Sequence, residues 1–292
     1  MKQIKQFPKL EKPQPLEPLI EALVQEFAPL YIYHFAKKVH QKKLNSVFCD
    51  GEGERQSIYY LFLVVEGKVS IESRVQEFAD GNYKVIIQIH EKEQVLGSVN
   101  HCNGYLASVI NKGKLRYAAP GIEKLGTLRL PNIKKRLGRA ILHWRKRREM
   151  AKGFFAAAEQ AIEIGQERVS LFLLHHATEQ ACVGLIYVFM DYQPDGRNLE
   201  HLLYLSACFS NLPFQHFMGT PDNEALLKIM IKCLSRGGYD DGFSLNNHSI
   251  YRFSELVESF VKLADDLCEA QFKVLQEEVD QVKVLKGGTL NG

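Results

Sequence analysis

The sequence has few of the features that mark secreted, zinc-ribbon or membrane proteins. Its 292 residues include six Cys and a single Trp, and the cysteines are scattered without a Cys-x-x-Cys pair. This spacing argues against a zinc ribbon and against a disulfide framework. No apolar run reaches the length of a membrane span, and the start of the chain is polar and proline-rich, without the apolar core of a signal peptide. We therefore expect a cytoplasmic protein without a membrane segment.

Charge of neither sign dominates the composition. Lys and Arg together number 37 and Asp and Glu 34, which gives a formal net charge of +3, and 46% of the residues are hydrophobic. These proportions are those of an ordinary globular protein and exclude collagen-like, low-complexity and wholly disordered chains. The length corresponds to about two domains.

One stretch departs from this balance. Residues 134–152 carry nine Lys or Arg against a single acid, Glu149. The stretch follows Pro131, and the patterns on its two sides differ. We therefore predict a first domain over residues 1–128, a basic connecting helix over 129–150 and a second domain over 151–292.

The N-terminal half alternates helix and strand patterns, which predicts a small α/β domain. Its predicted helices are Leu16–Phe27, Ile71–Ala79 and Val99–Lys112, and its predicted strands are Leu30–Phe35, Tyr59–Val65 and Tyr83–Ile89. The C-terminal half has almost no strand pattern and predicts an all-α, up-down bundle of five helices. These are Ala151–Ile164, Arg168–Tyr192, Leu199–Asn211, Thr220–Arg236 and Ser249–Leu285. The fold class is therefore α+β.

Three segments of the C-terminal half carry a resemblance to a known family. They are LFLLHHATEQACVGLIY at Leu171–Tyr187, NLEHLLYL at Asn198–Leu205 and SRGGYDDGFSLNN at Ser235–Asn247. In order and spacing they resemble the HEPN domains, helical bundles that are often partnered with small nucleotidyltransferases. The N-terminal half resembles the minimal nucleotidyltransferase of that pairing, in the strand YYLFLVV and in NHCNGYLASVINKGKLRY at Asn100–Tyr117.

The nucleotidyltransferase residues do not carry over to this chain. The resemblance implies a Gly-Ser after the first strand and two metal-binding acids on the second, but HFAKK follows the first strand here. The positions of the two acids hold Tyr59 and Leu61, and the third acidic position corresponds to Gln88. Since Tyr and Leu side chains do not bind magnesium, we expect the domain to be inactive by that mechanism.

The HEPN ribonuclease motif has four to six residues between an Arg and a His, and neither Arg197 with His201 nor Arg236 with His248 fits it. Three residues separate Arg197 from His201, and eleven separate Arg236 from His248. We therefore expect a protein that is not an enzyme. The alternatives are an active enzyme, either a HEPN ribonuclease or a nucleotidyltransferase using Asp50, Glu52 or Glu54, and a structural scaffold without a ligand.

A second candidate group is polar and belongs to the predicted bundle. His175 and Glu179 stand four residues apart on one helix, a spacing that can hold a metal. No third ligand is evident nearby, so we predict a polar cluster of the bundle without a metal. We assign to it His175, Glu179, His201, Arg236 and Tyr239. No cofactor is predicted.

The basic stretch is the strongest functional feature of the sequence. We predict phosphate contact by Lys134, Lys135, Arg136, Arg139, Arg145, Lys146, Arg147 and Arg148, with Trp144 stacking on a base. The alternative for Trp144 is packing together with Leu137 and Ile141. We predict a noncatalytic protein that binds a nucleotide or RNA, and, as the resemblance implies, a homodimer formed by the helical half.

Overall fold

The computed structural model describes residues 16–41, 44–46, 49–51, 55–67, 83–100, 103–194, 198–234, 245 and 248–288. The helix predicted at Ile71–Ala79 lies outside these residues. The chain divides into two compact units, one of residues 1–100 and 109–127 and the other of residues 101–108 and 128–292. The first unit contains the sheet, and the second is helical.

The described elements of the first part of the chain are a mixture of helices and strands. They are α1 (Leu16–Phe27), β1 (Tyr31–Gln41), β2 (Leu44–Ser46), β3 (Cys49–Gly51), β4 (Arg55–Val65), β5 (Tyr83–Glu91), α2 (Lys92–Asn100), α3 (Gly104–Lys112) and β6 (Lys114–Ala118). The predicted bounds of α1 are confirmed residue for residue. The helix predicted over Val99–Lys112 is instead two helices, because Asn103 starts α3 anew by accepting a 3.1 Å hydrogen bond from the amide of Leu106.

Four strands form one mixed sheet in the order β5-β4-β1-β6. Strand β4 is parallel to β5, and β1 is antiparallel to both β4 and β6. The edge strand β6 was not predicted from the sequence, because it is short and its charged residues Lys114 and Arg116 interrupt the apolar pattern.

Helix α1 covers one face of this sheet. Side chains alternate between the two faces along a strand, and those of one face of β1, β4 and β5 pack with the apolar stripe of α1. The core so formed contains Leu16, Leu19, Ile20, Leu23 and Phe27 of α1 with Ile32, Tyr59, Leu61, Leu63, Val65, Val85 and Ile87 of the sheet.

The second unit is built from helices along its described length after α3. They are α4 (Ile133–Glu163), α5 (Glu167–Met190), α6 (Leu199–Ser206), α7 (Leu212–Met218), α8 (Pro221–Cys233) and α9 (Ile250–Gly288). Helices α4, α5 and α9 pack against one another, and α5 also contacts α6 and α8. The predicted fold class, a small α/β part followed by an all-α part, is confirmed.

Helix α5 is the core helix of this unit. It is long and apolar enough to cross a membrane, and it is the one helix among the described residues that meets this criterion. Most of its residues are buried against the other helices, including the whole run from Ala177 to Ile186. Burial inside the bundle accounts for its apolar composition.

Two of the predicted helices of this part are divided differently in the structure. The basic helix and the helix predicted from Ala151 form a single helix, α4, since no proline or capping residue interrupts the chain near residue 150. The helix predicted over Leu199–Asn211 ends at Ser206, and α7 follows after a turn. The predicted cap of α8 is present, where Thr220 Oγ1 accepts a 3.2 Å hydrogen bond from the amide of Asn223.

Candidate functional site

The positions that correspond to nucleotidyltransferase acids lie in the sheet of the first unit. Tyr59 and Leu61 are buried in the core beneath α1. Gln88 is also buried, but it pairs with Phe62 in the parallel register of β4 and β5 and so lies on the opposite face. Gln88 therefore does not share a face of the sheet with Tyr59 and Leu61, and none of the three supplies a carboxylate. Of the alternative acids, Glu52, Glu54 and the side chain of Asp50 lie outside the described residues.

Trp144 of the basic stretch packs inside the helical unit. Its side chain is 2% exposed, and its indole N–H donates a 3.1 Å hydrogen bond to Oδ1 of Asp265 on α9. The sequence leaves two roles open for Trp144, base stacking and packing, and in the structure Trp144 packs inside the helical unit. The predicted packing partner Ile141 is instead 45% exposed, and the neighbouring Ala140 is buried in its place.

Four arginines of the stretch are held by other parts of the second unit. Arg136 donates to the carbonyl of Phe189 (3.1 Å), Arg139 to Asp191 (2.7 Å), Arg147 to the Gln180 side chain (2.6 Å) and Arg148 to Asp265 (2.7 Å). These guanidinium groups brace α4 against α5 and α9. The sequence gives no sign of these partners, because each lies at least 33 residues further along the chain.

The remaining cations of the stretch lie on the solvent side of α4. We call them the outward basic face, and its members are Lys134, Lys135, Arg145, Lys146 and Lys152, all exposed. No ion pair engages them within the described part of the chain. Ile141 and Leu142 are exposed between the two ends of this face. The nine predicted contact residues thus divide into four outward cations and five side chains that contact α5, α9 or the residue after α5. We call these five inward, although the side chains of Arg139 and Arg148 remain 41% and 43% exposed.

His143 belongs to the inward side of the same helix. Its ring stacks on Tyr187, with ring centroids 3.8 Å apart. Burial, together with the charges of Arg147 and Lys146, lowers its pKa from 6.5 to about 4. His143 is therefore neutral near pH 7 and adds no charge to the stretch.

The predicted polar cluster centres on α5. His175 and Glu179 are both buried, and the adjacent His176 lies with them, with its Nδ1 3.3 Å from Oε2 of Glu179. One ligand atom from each of these three residues lies within 4.8 Å of the other two. Burial, and secondarily the neighbouring His176, lowers the pKa of His175 to about 3. His176 was not predicted, although the sequence His-His-x-x-Glu on an apolar helix contains it.

The other predicted members of the cluster are placed differently. His201 lies at the start of α6, where its backbone amide donates a 3.0 Å hydrogen bond to the capping residue Asn198. It does not belong to the group formed by His175, His176 and Glu179. Arg236 and Tyr239 lie outside the described residues.

Comparison with known proteins gives little. No protein-family model matches the chain, and no curated protein matches it. Among solved structures, the chain is similar to a nucleotidyltransferase-like protein from Exiguobacterium sibiricum 255-15, whose crystal structure was determined at 1.90 Å resolution. The sequences are 10% identical, the TM-score is 0.27, and the match covers 91% of this chain and 79% of the other. We draw nothing about function from a TM-score this low.

Proposed function

We propose that this protein is a noncatalytic RNA-binding protein that holds the RNA backbone on the outward basic face of α4. The observation that carries the proposal is the exposure of Lys134, Lys135, Arg145, Lys146 and Lys152 on one helix. Each such cation that meets a phosphate releases condensed counterions, and this release provides most of the sequence-independent affinity for nucleic acids.

The length of the face favours a polymer over a single nucleotide. Eighteen residue steps separate Lys134 from Lys152, and at about 1.5 Å per step the face extends roughly 27 Å along α4. A mononucleotide would contact one end of such a face, whereas several successive phosphates of a strand can follow all of it. Lys134 and Lys135 also lie in the first turn of α4, where the positive end of the helix dipole adds to their charge.

The exposed apolar residues on this face favour single-stranded RNA over a duplex. Ile141 and Leu142 lie between the two basic ends and are about half exposed. Unpaired bases present apolar ring faces that can contact such side chains, whereas paired bases are stacked inside a duplex. We therefore propose single-stranded RNA as the ligand.

The absence of catalysis in this proposal is supported by two observations. The positions of the nucleotidyltransferase acids hold Tyr59 and Leu61 in an apolar core. The HEPN ribonuclease spacing of Arg and His is not found at Arg197 and His201 or at Arg236 and His248. It does occur before His143 and before His175, but burial lowers the pKa of both imidazoles. On the resemblances of the two halves, we propose a degenerate nucleotidyltransferase-like domain joined to a HEPN-type bundle.

Filter binding of the full chain to a labelled single-stranded RNA tests the proposal. The test variant replaces Lys134, Lys135, Arg145 and Lys146 with Gln. A matched variant replaces four exposed lysines elsewhere, Lys228, Lys262, Lys273 and Lys283, so that net charge changes equally. We expect the first variant to bind at least tenfold more weakly at low salt and the second to bind nearly as the wild type does. Equal losses in both variants would contradict a site on α4.

A further inference from the structure

A buried group on α5 stands apart from the outward basic face. It consists of His175, His176 and Glu179, each of which offers one ligand atom within 4.8 Å of the other two. Its donor atoms are two imidazole nitrogens and one carboxylate oxygen. The proposed RNA contact uses none of them.

One buried polar atom of this group has no hydrogen-bond partner among the described residues. His175 is 5% exposed, and its Nδ1 is buried without a hydrogen-bond partner among the described residues. Buried polar atoms are nearly always satisfied in folded proteins, and a bound water or ion is one explanation for an exception. A buried imidazole nitrogen of this kind, beside a second imidazole and a carboxylate, is suited to a cation that accepts nitrogen donors.

We propose that His175, His176 and Glu179 bind a zinc ion. Two histidines with one glutamate are a ligand set that Zn²⁺ takes in proteins, with bond lengths near 2.0–2.2 Å. Ligand atoms around a tetrahedral ion with such bonds lie about 3.4 Å apart. The 3.3 Å separation of His176 Nδ1 and Glu179 Oε2 already meets this distance, and all three ligand atoms lie within 4.8 Å of one another.

Neighbouring side chains support the carboxylate. The side-chain Nε2 of Gln180 donates a 3.4 Å hydrogen bond to Oε1 of Glu179, and the side-chain Oε1 of Gln180 accepts a hydrogen bond from Arg147. Oε1 is thereby held while Oε2 is directed towards His176. Outer residues that fix the orientation of a ligand in this way are typical of metal sites.

Three protein ligands leave one position of a tetrahedral zinc ion for water. His176 is the most exposed of the three, with a side chain that is 25% exposed, and Phe154 and Phe172 flank its ring. Magnesium and calcium are poor candidates, because both prefer oxygen ligands over imidazole.

Zinc binding to the full chain tests the site directly. Protein treated with a chelator and dialysed is titrated with Zn²⁺ against a chromophoric chelator, and its thermal midpoint is measured with and without Zn²⁺. We expect one zinc ion per chain and a higher midpoint with zinc, because a ligand bound only by the folded state stabilises it. No zinc bound in competition with the chelator would overturn the proposal.

Two variants locate the ion. His176→Gln changes the most exposed ligand, and we expect at least a tenfold loss of zinc affinity. His248→Gln, which changes a histidine of similar exposure outside the group, should leave the affinity unchanged. Binding by His176→Gln as tight as by the wild type would overturn the assignment.

Cobalt gives a readout that requires no variant to fold. Co²⁺ bound to the wild-type protein should show the intense visible absorption of four-coordinate cobalt, displaced by Zn²⁺. Absorption that remains weak, as for six-coordinate surface-bound cobalt, would count against the site.

Discussion

The indole N–H of Trp144 donates a hydrogen bond to Oδ1 of Asp265, and the guanidinium of Arg148 donates to Oδ2 of the same carboxylate. The first bond is 3.1 Å long and the second 2.7 Å, and both join α4 to α9. A single acid on α9 thus fixes two residues of the basic stretch. Trp144 and Arg148 thereby join α4 to α9, whereas the outward cations of α4 form no ion pair among the described residues.

Replacement of Trp144 should change stability more than RNA affinity. Trp144→Ala should lower the free energy of unfolding by about 3–5 kcal/mol, because it empties a buried aromatic position. Trp144→Phe should cost less, since it keeps an aromatic ring but leaves Oδ1 of Asp265 without its donor. Urea unfolding followed by circular dichroism measures both. A Trp144→Phe protein of normal stability that binds RNA much more weakly would contradict the packing role.

Gly184 allows the close approach of α5 to the Trp144 ring. A Cβ atom at Gly184 would lie 2.6 Å from Cε3 and 2.7 Å from Cζ3 of that ring. Gly184→Ala should therefore destabilise the fold by about 1–3 kcal/mol through overpacking. Gly153→Ala on α4 is the matched control, because a Cβ there meets nothing within 4 Å, and alanine in place of an exposed helical glycine stabilises by about 1 kcal/mol. Thermal melts of equal midpoint for the two variants would contradict this account.

The sequence predicts well those elements whose buried residues recur at a regular, short spacing along the chain. The apolar residues of α1 recur at helical spacing along the sequence of the helix itself, and so its bounds are predicted correctly. Strand β6 lacks such a pattern, because it is short and lies at the edge of the sheet. The full length of α4 is not apparent from the sequence, because the composition changes near residue 150 although the helix continues.

The candidate site was harder to predict because its contacts are long-range. The sequence shows where the cations lie, but it does not show that Arg139 is paired with Asp191, 52 positions further along. Likewise, the ring of Trp144 is excluded from solvent by residues of α5 and α9. His176 lies next to His175 in the sequence. Adjacent residues of a helix point about 100° apart, so the sequence alone does not predict that the two side chains belong to one group.

Incubation of the full chain with α-labelled ATP and Mg²⁺ should give no label transfer to RNA or to protein. The reason is that Tyr59 and Leu61 lie in the core below α1, where a metal-bound triphosphate would find no carboxylate. The assay is repeated with Asp50→Asn and Glu52→Gln. Transfer by the wild type that is lost in either variant would show that atypical acids are used.

The homodimer remains a proposal for the helical half. Beyond residue 150, large apolar side chains such as Ile164, Val169 and Val274 are exposed, and we propose that a second copy covers them. Light scattering on nuclease-treated full chain at tens of micromolar should give about twice the 33.3 kDa mass of one chain. The dimer should persist at high salt, because apolar contacts are not screened. A monomer under these conditions would contradict the proposal.

Salt dependence separates the outward cations of α4 from the inward ones. For a single strand, the logarithm of the binding constant falls with the logarithm of salt concentration by about 0.7 for each phosphate neutralised. Changing Lys134, Lys135, Arg145 and Lys146 to Gln should therefore flatten this slope by up to about 2.8, and by less where a residue touches no phosphate. Arg148→Gln should leave the slope unchanged and lower the thermal midpoint, because this guanidinium is held by Asp265. Filter binding across a salt series, with thermal melts of each protein, measures both effects. If the slope is unchanged in the fourfold variant, the outward basic face does not contact RNA.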